Sequence, residues 1–339
     1  MNKLICLLTL SLLFSCSKTD TPVPTPQPPP LPPPPPLIVD SVEMKTGWSK
    51  LQVANTLLSD VTWIDANRLA ITAPYYRKIY SSADGGINWS PLPHYAYGVN
   101  LTSRPSGRLY WTVGDASITW IYRDRNGVPD SANLNKVAAD MVFLDDSTGY
   151  ASLTSAPGLA QTHNGGDTWE LAATGPINFG SSFYSTLFFL NSNHGLVSFD
   201  RRVYYTNQGI SNWQQSTISA PSTFNVYCSK VQLVSPNLAY AGFSDGSLYR
   251  SIDSGKSFTP VQLPLTKSTS GQEWLDFQFL DSNNGYLCFV NLILQTNNGG
   301  NNWDTVVYDK KRKIIELEFL DTHHGAAVTD SGKVFLFKN

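Results

Sequence analysis

The chain has 339 residues, with 24 Lys and Arg against 26 Asp and Glu, a formal net charge of −2, and 15% charged residues beside 12% aromatics. Such a balance carries no basic surplus that would point to nucleic acid. The 24 Gly and 22 Pro, with no long amphipathic helical pattern, favour β structure over a helical fold.

At the start, Lys3 precedes an apolar run over residues 4–14, and Ser15 stands directly before Cys16. The run is too short to cross a hydrocarbon core, which takes about 20 residues. The segment resembles a bacterial lipoprotein signal peptide. That resemblance implies cleavage before Cys16 and lipidation of Cys16 as a membrane anchor. Ser17, rather than Asp, follows the Cys, so the implied address is the outer membrane, periplasmic or surface-exposed. Residues 1–15 are then the signal and 16–43 the lipidated Cys with a linker. Within the linker, residues 21–36 read TPVPTPQPPPLPPPPP. Proline fixes φ and lacks an N–H, so this stretch cannot enter a sheet or helix and should run as polyproline II. At about 3.1 Å per residue it spaces the following domain roughly 50 Å from its anchor.

Residues 44–339 read as one globular unit organised by a repeated eight-residue motif: Ser or Thr, any residue, Asp or Asn, any residue, Gly, two of any kind, Trp or Phe. It occurs as Ser82, Asp84, Gly86, Trp89; as Thr162, Asn164, Gly166, Trp169; as Ser251, Asp253, Gly255, Phe258; and as Thr296, Asn298, Gly300, Trp303. Degenerate copies cover residues 123–130 and 206–213. Counted from Trp48, the motif's last position recurs about every 40 to 45 residues, the period of four-stranded β-propeller blades. Before each motif comes a short apolar strand, a turn and a strand of small residues, as in residues 142–151, 277–287 and 317–327. A third strand leads into the motif, whose final aromatic opens the fourth.

Folding explains the residue types. Asp or Asn accepts backbone hydrogen bonds within a turn, Gly takes φ > 0, and the hydroxyl adds a local bond. Trp or Phe buries apolar surface between sheets. Calcium binding or acid catalysis by the motif is disfavoured, because Asn164 and Asn298 are neutral where such a site wants charge. The seventh repeat ends before a fourth strand, while Gly47 and Trp48 begin a strand with nothing before it. Residues near 47–55 should therefore complete the last blade and remove its exposed edges. The expected fold is all-β: a seven-bladed β-propeller of four-stranded blades.

The motifs SxDxGxxW and TxNxGxxW resemble the Asp-box of bacterial neuraminidase repeats. FLDxxxGYA followed by a strand and TNNGGNNW is similar to the seven-bladed propellers related to the photosystem II assembly factor. The resemblance spans residues 45–339 and implies the fold, with an assembly, adhesion or scaffold role as one of its uses. Sialidases, which share the Asp-box, carry an Arg-Ile-Pro or Arg-Leu-Pro segment in the first blade; here Ser103-Arg104-Pro105 is a faint echo. The expected function is accordingly non-catalytic binding of a protein or glycan by a monomer, with no metal or cofactor. The alternative is a glycoside hydrolase of sialidase-like type with a divergent active site, which needs two carboxyl groups about 5 to 10 Å apart in one cleft.

Loops joining second to third strands, and one blade to the next, share the face opposite the motifs. They carry the candidate ligand-binding residues Tyr75, Tyr76, Arg77, His94, Tyr95, Tyr97, Phe183, Tyr184, Arg201, Tyr227, Glu273 and Trp274. Aromatic rings with a few Arg suit stacking on sugars or anchoring a protein, and roughly half of the loop rings should cover the core instead. His163 falls inside a motif, while His194, His323 and His324 fall in turns on the motif side, without metal-ligand spacing. The run at residues 309–313 reads as a solvated basic loop. Cys6 leaves with the signal. Cys228 and Cys288 are expected as two buried free thiols, although a disulfide is geometrically conceivable in an oxidising compartment.

Overall fold

The computed structural model describes residues 42–95, 100–114, 119–125, 128–133, 137–154, 158–172, 185–219, 226–265 and 275–339. Cys16 and the proline-rich linker lie outside the described residues. The fold is an all-β propeller, and the 3-10 turn Pro74–Tyr76 is the one helical element among the described residues.

Among the described residues the strands group into seven sheets. Their innermost strands are, in chain order, Asp60–Trp63, Leu101–Ser103, Ala138–Phe143, Ser185–Phe189, Cys228–Leu233, Leu275–Phe279 and Ile314–Phe319. Each touches the next, and the last touches the first. From its inner strand each sheet runs outward through antiparallel neighbours. Adjacent inner strands point the same way, because their starts meet (Asp60 with Leu101, Asp276 with Leu317) and their ends meet (Gln232 with Phe279, Gln278 with Phe319). Consequently the turns after first and third strands share one face, the motif face. Among the described residues, the turns after second strands, such as Pro74–Tyr76, share the other, the loop face.

The sequence pattern has a packing cause. Phe279 lies opposite Gly285 in the ladder, and a Cβ on Gly285 would come within 2.6 Å of the Phe279 ring. The phenyl ring occupies the space a side chain would take. Phe143 with Gly149, Phe189 with Gly195 and Phe319 with Gly325 repeat the arrangement. The Tyr of a second strand then stacks on the Phe of the next sheet: Tyr150 on Phe189 at 3.9 Å, Tyr240 on Phe279 at 3.6 Å, and Tyr286 on Phe319 at 4.0 Å between centroids. Such pairs contribute about 0.5–1.5 kcal/mol each beyond their buried area. The Asp or Asn after the first strand folds the turn, as when Asp281 Oδ1 accepts from the Asn283 and Asn284 N–H groups at 2.7 and 2.8 Å.

The four full motifs share one geometry. The Ser82 hydroxyl accepts the Gly86 N–H at 2.8 Å, and Asp84 Oδ1 accepts the Asn88 N–H at 2.9 Å. Thr162 and Asn164 accept from Gly166 and Thr168 in the same manner, each at 2.9 Å. Ser251 with Asp253, and Thr296 with Asn298, repeat it. Gly86 stands at φ +91°, a region that disfavours side chains. In one respect the arrangement differs from expectation: Trp89 and Trp303 precede the fourth strands Ser90–Tyr95 and Asp304–Asp309 rather than opening them. Their indole N–H groups donate back to Gly86 O at 2.8 Å and Gly300 O at 3.1 Å, which holds them in the turn. Phe258 has no such donor and lies inside Ser257–Val261.

At the chain's end, Trp48–Gln52 pairs antiparallel with Lys333–Lys338 and supplies the outer strand of the seventh sheet. Two further strands carry no sequence signal. Val42–Met44 adds to the edge of the sixth sheet beside Asp304–Asp309, and Thr217–Ile218 adds in parallel to the fifth. At two and three residues they are too short to show a period.

Candidate functional site

Among the described residues, two places concentrate chemistry that could serve a function: one turn on the loop face, and the channel that the inner strands enclose. In the turn, Pro74 starts the 3-10 segment and Arg77 ends it in the left-handed region at φ 53°, its N–H donating to Pro74 O at 3.0 Å. The closed turn points Tyr75 and Tyr76 outward, 76% and 50% exposed, and Arg77 is exposed beside them. Buried large rings are the rule in this molecule, so two adjacent exposed tyrosines stand out.

Of the remaining sequence candidates, those described lie apart from this turn or carry no described side chain. His94 and Tyr95 end the strand Ser90–Tyr95, and nothing is described of their side chains. Arg201 is exposed in the tight turn of the fourth sheet, three sheets round from Tyr76, next to Asp200 at φ 56°. Tyr227 is half-buried, its N–H donating to Ser244 Oγ at 3.0 Å, so it belongs more to the loop scaffold than to an open surface. Tyr97, Phe183, Tyr184, Glu273 and Trp274 lie outside the described residues. Cys228 and Cys288 are free and buried, without a disulfide. Burial pushes the Cys228 thiol up to about 12.

The channel was not anticipated. Inner-strand side chains of alternate register line a cavity of about 290 Å³, among them Asp60, Asp140, Lys230, Asp276 and Glu316. Several join sheets. Asp60 Oδ2 accepts the Leu101 N–H at 2.6 Å, Asp140 Oδ2 the Leu187 N–H at 2.8 Å, and Asp276 Oδ2 the Leu317 N–H at 2.8 Å. Lys230 Nζ lies 2.7 Å from Asp276 Oδ1. Thr62 donates to Glu318 Oε1 at 3.4 Å, and the Trp63 indole to Glu318 O at 3.1 Å.

Five carboxyl groups around one ammonium cannot all ionise cheaply in a confined space. Burial raises Asp60 to about 7, partly offset by the Leu101 N–H and by Glu316. Burial and the nearby Asp60 charge raise Glu318 to about 8 and lift Glu316 well above the carboxylate range. Asp140 is raised by burial against three hydrogen bonds. Burial opposes the Lys230 ammonium, but Asp276, Glu316 and Glu318 outweigh it and raise its pKa. Among the described residues no grouping of three His, Cys, Asp or Glu is arranged to hold a metal ion. A signal for the channel did exist in the sequence: a carboxylate interrupts otherwise apolar strands, as in Leu275-Asp276-Phe277 and Ile315-Glu316-Leu317-Glu318-Phe319.

No family model and no curated protein matches the chain. Solved structures do. A YCF48 structure described as bound to D1 peptide aligns at TM-score 0.63 with 14% identity, covering 87% of this chain and 98% of that one. Virginiamycin B lyase from Staphylococcus aureus aligns at 0.65 with 16% identity, covering 88% and 100%. The GH74 xyloglucanase from Xanthomonas campestris aligns at 0.66 with 12% identity, covering 84% of this chain and 53% of that one. A peptide-bound protein, a lyase and a xyloglucanase share one architecture, and at these identities the alignments speak for fold alone. What they have in common with this chain is the β-propeller.

Proposed function

We propose that this chain is a non-catalytic cell-envelope lipoprotein whose propeller binds a protein partner through the loop face, with Tyr75, Tyr76 and Arg77 as anchor. In this reading Cys16 carries the lipid, the residues from 16 up to the strand Val42–Met44 are the tether, that strand moving the expected boundary at 43/44 two residues earlier, and the remaining chain forms a monomeric seven-bladed propeller, one blade per sheet, with Asp-box turns on the far face. The tether would hold it at the outer membrane, facing the periplasm or the cell surface. The observation that carries the reading is the exposed Tyr75–Tyr76 pair on a closed, proline-started turn. Tyr and Arg are the residue types that dominate binding hot spots, and a preformed turn lowers the ordering cost of association. A propeller of this fold that binds a peptide, the YCF48 complex, gives the precedent. Glycan stacking on the same rings is the second ligand chemistry the turn suits.

The glycoside-hydrolase alternative has one observation in its favour, the raised carboxyls of the channel. Against it, Asp60, Asp140 and Asp276 each hold a backbone N–H of a neighbouring sheet, which is a joining duty. The test is capture of envelope proteins by the wild-type chain and by Tyr75→Ala and Tyr76→Ala variants of unchanged melting temperature. The proposal expects a partner retained by wild type and lost from both variants. Equal recovery would defeat it, and glycan turnover abolished by Glu318→Gln would establish the hydrolase instead.

A further inference from the structure

The link from the sixth sheet to the seventh carries four consecutive cations, Lys310, Lys311, Arg312 and Lys313, all exposed. It follows the fourth strand Asp304–Asp309 and lies on the loop face, held between the turns that follow the second strands of both sheets. The Asp309 N–H donates to Asn291 O at 3.0 Å and the Ile314 N–H to Val290 O at 2.7 Å, while the Asp330 N–H donates to Lys313 O at 3.0 Å. Within the link, Asp309 Oδ1 accepts the Lys311 N–H at 3.0 Å. The cations are thus displayed on a fixed backbone, which lowers the ordering cost of meeting a ligand. Asp309 is buried and lies 3.5 Å from the buried Lys333 ammonium, so its charge is met inside the fold. Outside, Glu43 Oε1 meets one of the four, Lys310, at 2.8 Å.

We propose that residues 310–313 are a docking surface for the phosphate headgroups of an anionic lipid bilayer, and that this contact turns the loop face toward the membrane.

Two further observations point to a bilayer. Val42 pairs with Asp309, so the segment leading back to Cys16 joins the propeller at the loop-face end of the sixth sheet, beside the basic link. The two faces also differ in the sign of their repeated charges. Among the described residues, exposed Arg77, Lys78, Arg201 and Arg202 add to the loop face, against exposed Glu43 and Asp200. The motif face repeats carboxylates instead. Asp65, Asp145, Asp281 and Asp321 fold its first-strand turns, and Arg68 pairs with the first of these at 2.7 Å. Asp84 and Asp253 add two more in the motifs. A field of this polarity favours one orientation on a sheet of phosphates. Screening confines the attraction to about 8 Å at physiological salt, so the cations nearest the bilayer decide it. The bilayer as the source of phosphate rests on the lipid anchor proposed at Cys16, whereas the display of charge does not. A partner held by Tyr75 and Tyr76 would then be one borne by the same membrane.

The test is sedimentation of the full chain, carrying Cys16→Ser so that no lipid is attached, with phosphatidylcholine vesicles that contain or lack phosphatidylglycerol. Two double variants are compared with it: Lys311→Gln with Arg312→Gln on the link, and Lys256→Gln with Lys338→Gln, exposed on the motif face. Both remove the same charge, and the apolar run before position 16 is common to all three chains. Binding to the anionic vesicles should fall roughly thirtyfold in the link variant, about fivefold for each cation withdrawn from the surface. It should be unchanged in the motif-face variant. Equal falls in the two variants, or equal binding of the parent chain to neutral and anionic vesicles, would overturn the proposal. If polyglutamate binds through Lys311 and Arg312 while the vesicles do not, the occupant is an acidic protein and lipid docking is refuted. Tyr76→Ala should leave vesicle binding intact, so loss of a captured partner and loss of membrane docking are read separately.

Discussion

Replacing Trp48 with alanine removes the ring that docks the N-terminal strand against the last two sheets. The indole is 8% exposed and stands 6.3 Å from Tyr286, 6.0 Å from Phe319 and 5.3 Å from Phe337, ring centre to ring centre. Core Trp→Ala substitutions cost about 3–5 kcal/mol, a range that includes lost apolar contact and the residual cavity. Against a total stability of about 5–15 kcal/mol, that is a large share. The loss should also spread, because Trp48–Gln52 is the outer strand of the seventh sheet and follows Val42–Met44 on the sixth. Urea denaturation followed by tryptophan fluorescence and circular dichroism measures the change. A Trp48→Phe variant, which retains an aromatic ring, should lose much less. If Trp48→Ala costs under about 1 kcal/mol, well below the core range, the N-terminal strand does not hold the seventh sheet in place.

The repeated turns separate two kinds of substitution. Thr162→Val strips the partner from the buried Gly166 N–H and should cost about 1–3 kcal/mol in denaturation, whereas Asp84→Asn should be nearly neutral at pH 7, since Asn164 and Asn298 fill that role elsewhere. The Asn88 and Ser82 bonds hold Asp84 down at about 2, so the stability it contributes is present above the unfolded value near 4 and is lost only as pH falls toward 2; an acid titration of wild type and Asp84→Asn measures this, and identical profiles would contradict it. Cys228 and Cys288 should resist a thiol reagent in the native chain, because burial raises both pKa values and blocks access. Both should label in denaturant without prior reduction, and a requirement for reductant would reveal a disulfide.

Much of the architecture was legible because it is written in rigid, repeated local chemistry. Phe279 needs Gly285, Thr296 needs the Gly300 N–H, and Asp281 needs two N–H groups of its own turn. Each requirement falls within a few residues, so it leaves a spaced pattern. The pair Tyr75 and Tyr76 could also be placed, because one turn positions both. The channel could not be assembled in advance, since Asp60, Lys230, Asp276 and Glu316 come from four different sheets and meet only when the propeller closes. Val42–Met44 was missed for a related reason: three residues on a sheet edge have no periodicity, and their partner strand lies at the other end of the chain.

The claim that the loop face carries the partner is tested most directly by photo-crosslinking in intact cells. A photoreactive residue placed at Tyr76 should yield a discrete protein adduct, while the same residue at Asn301, exposed in a motif turn on the opposite face, should yield none. An adduct from position 301 with none from position 76 would contradict the account.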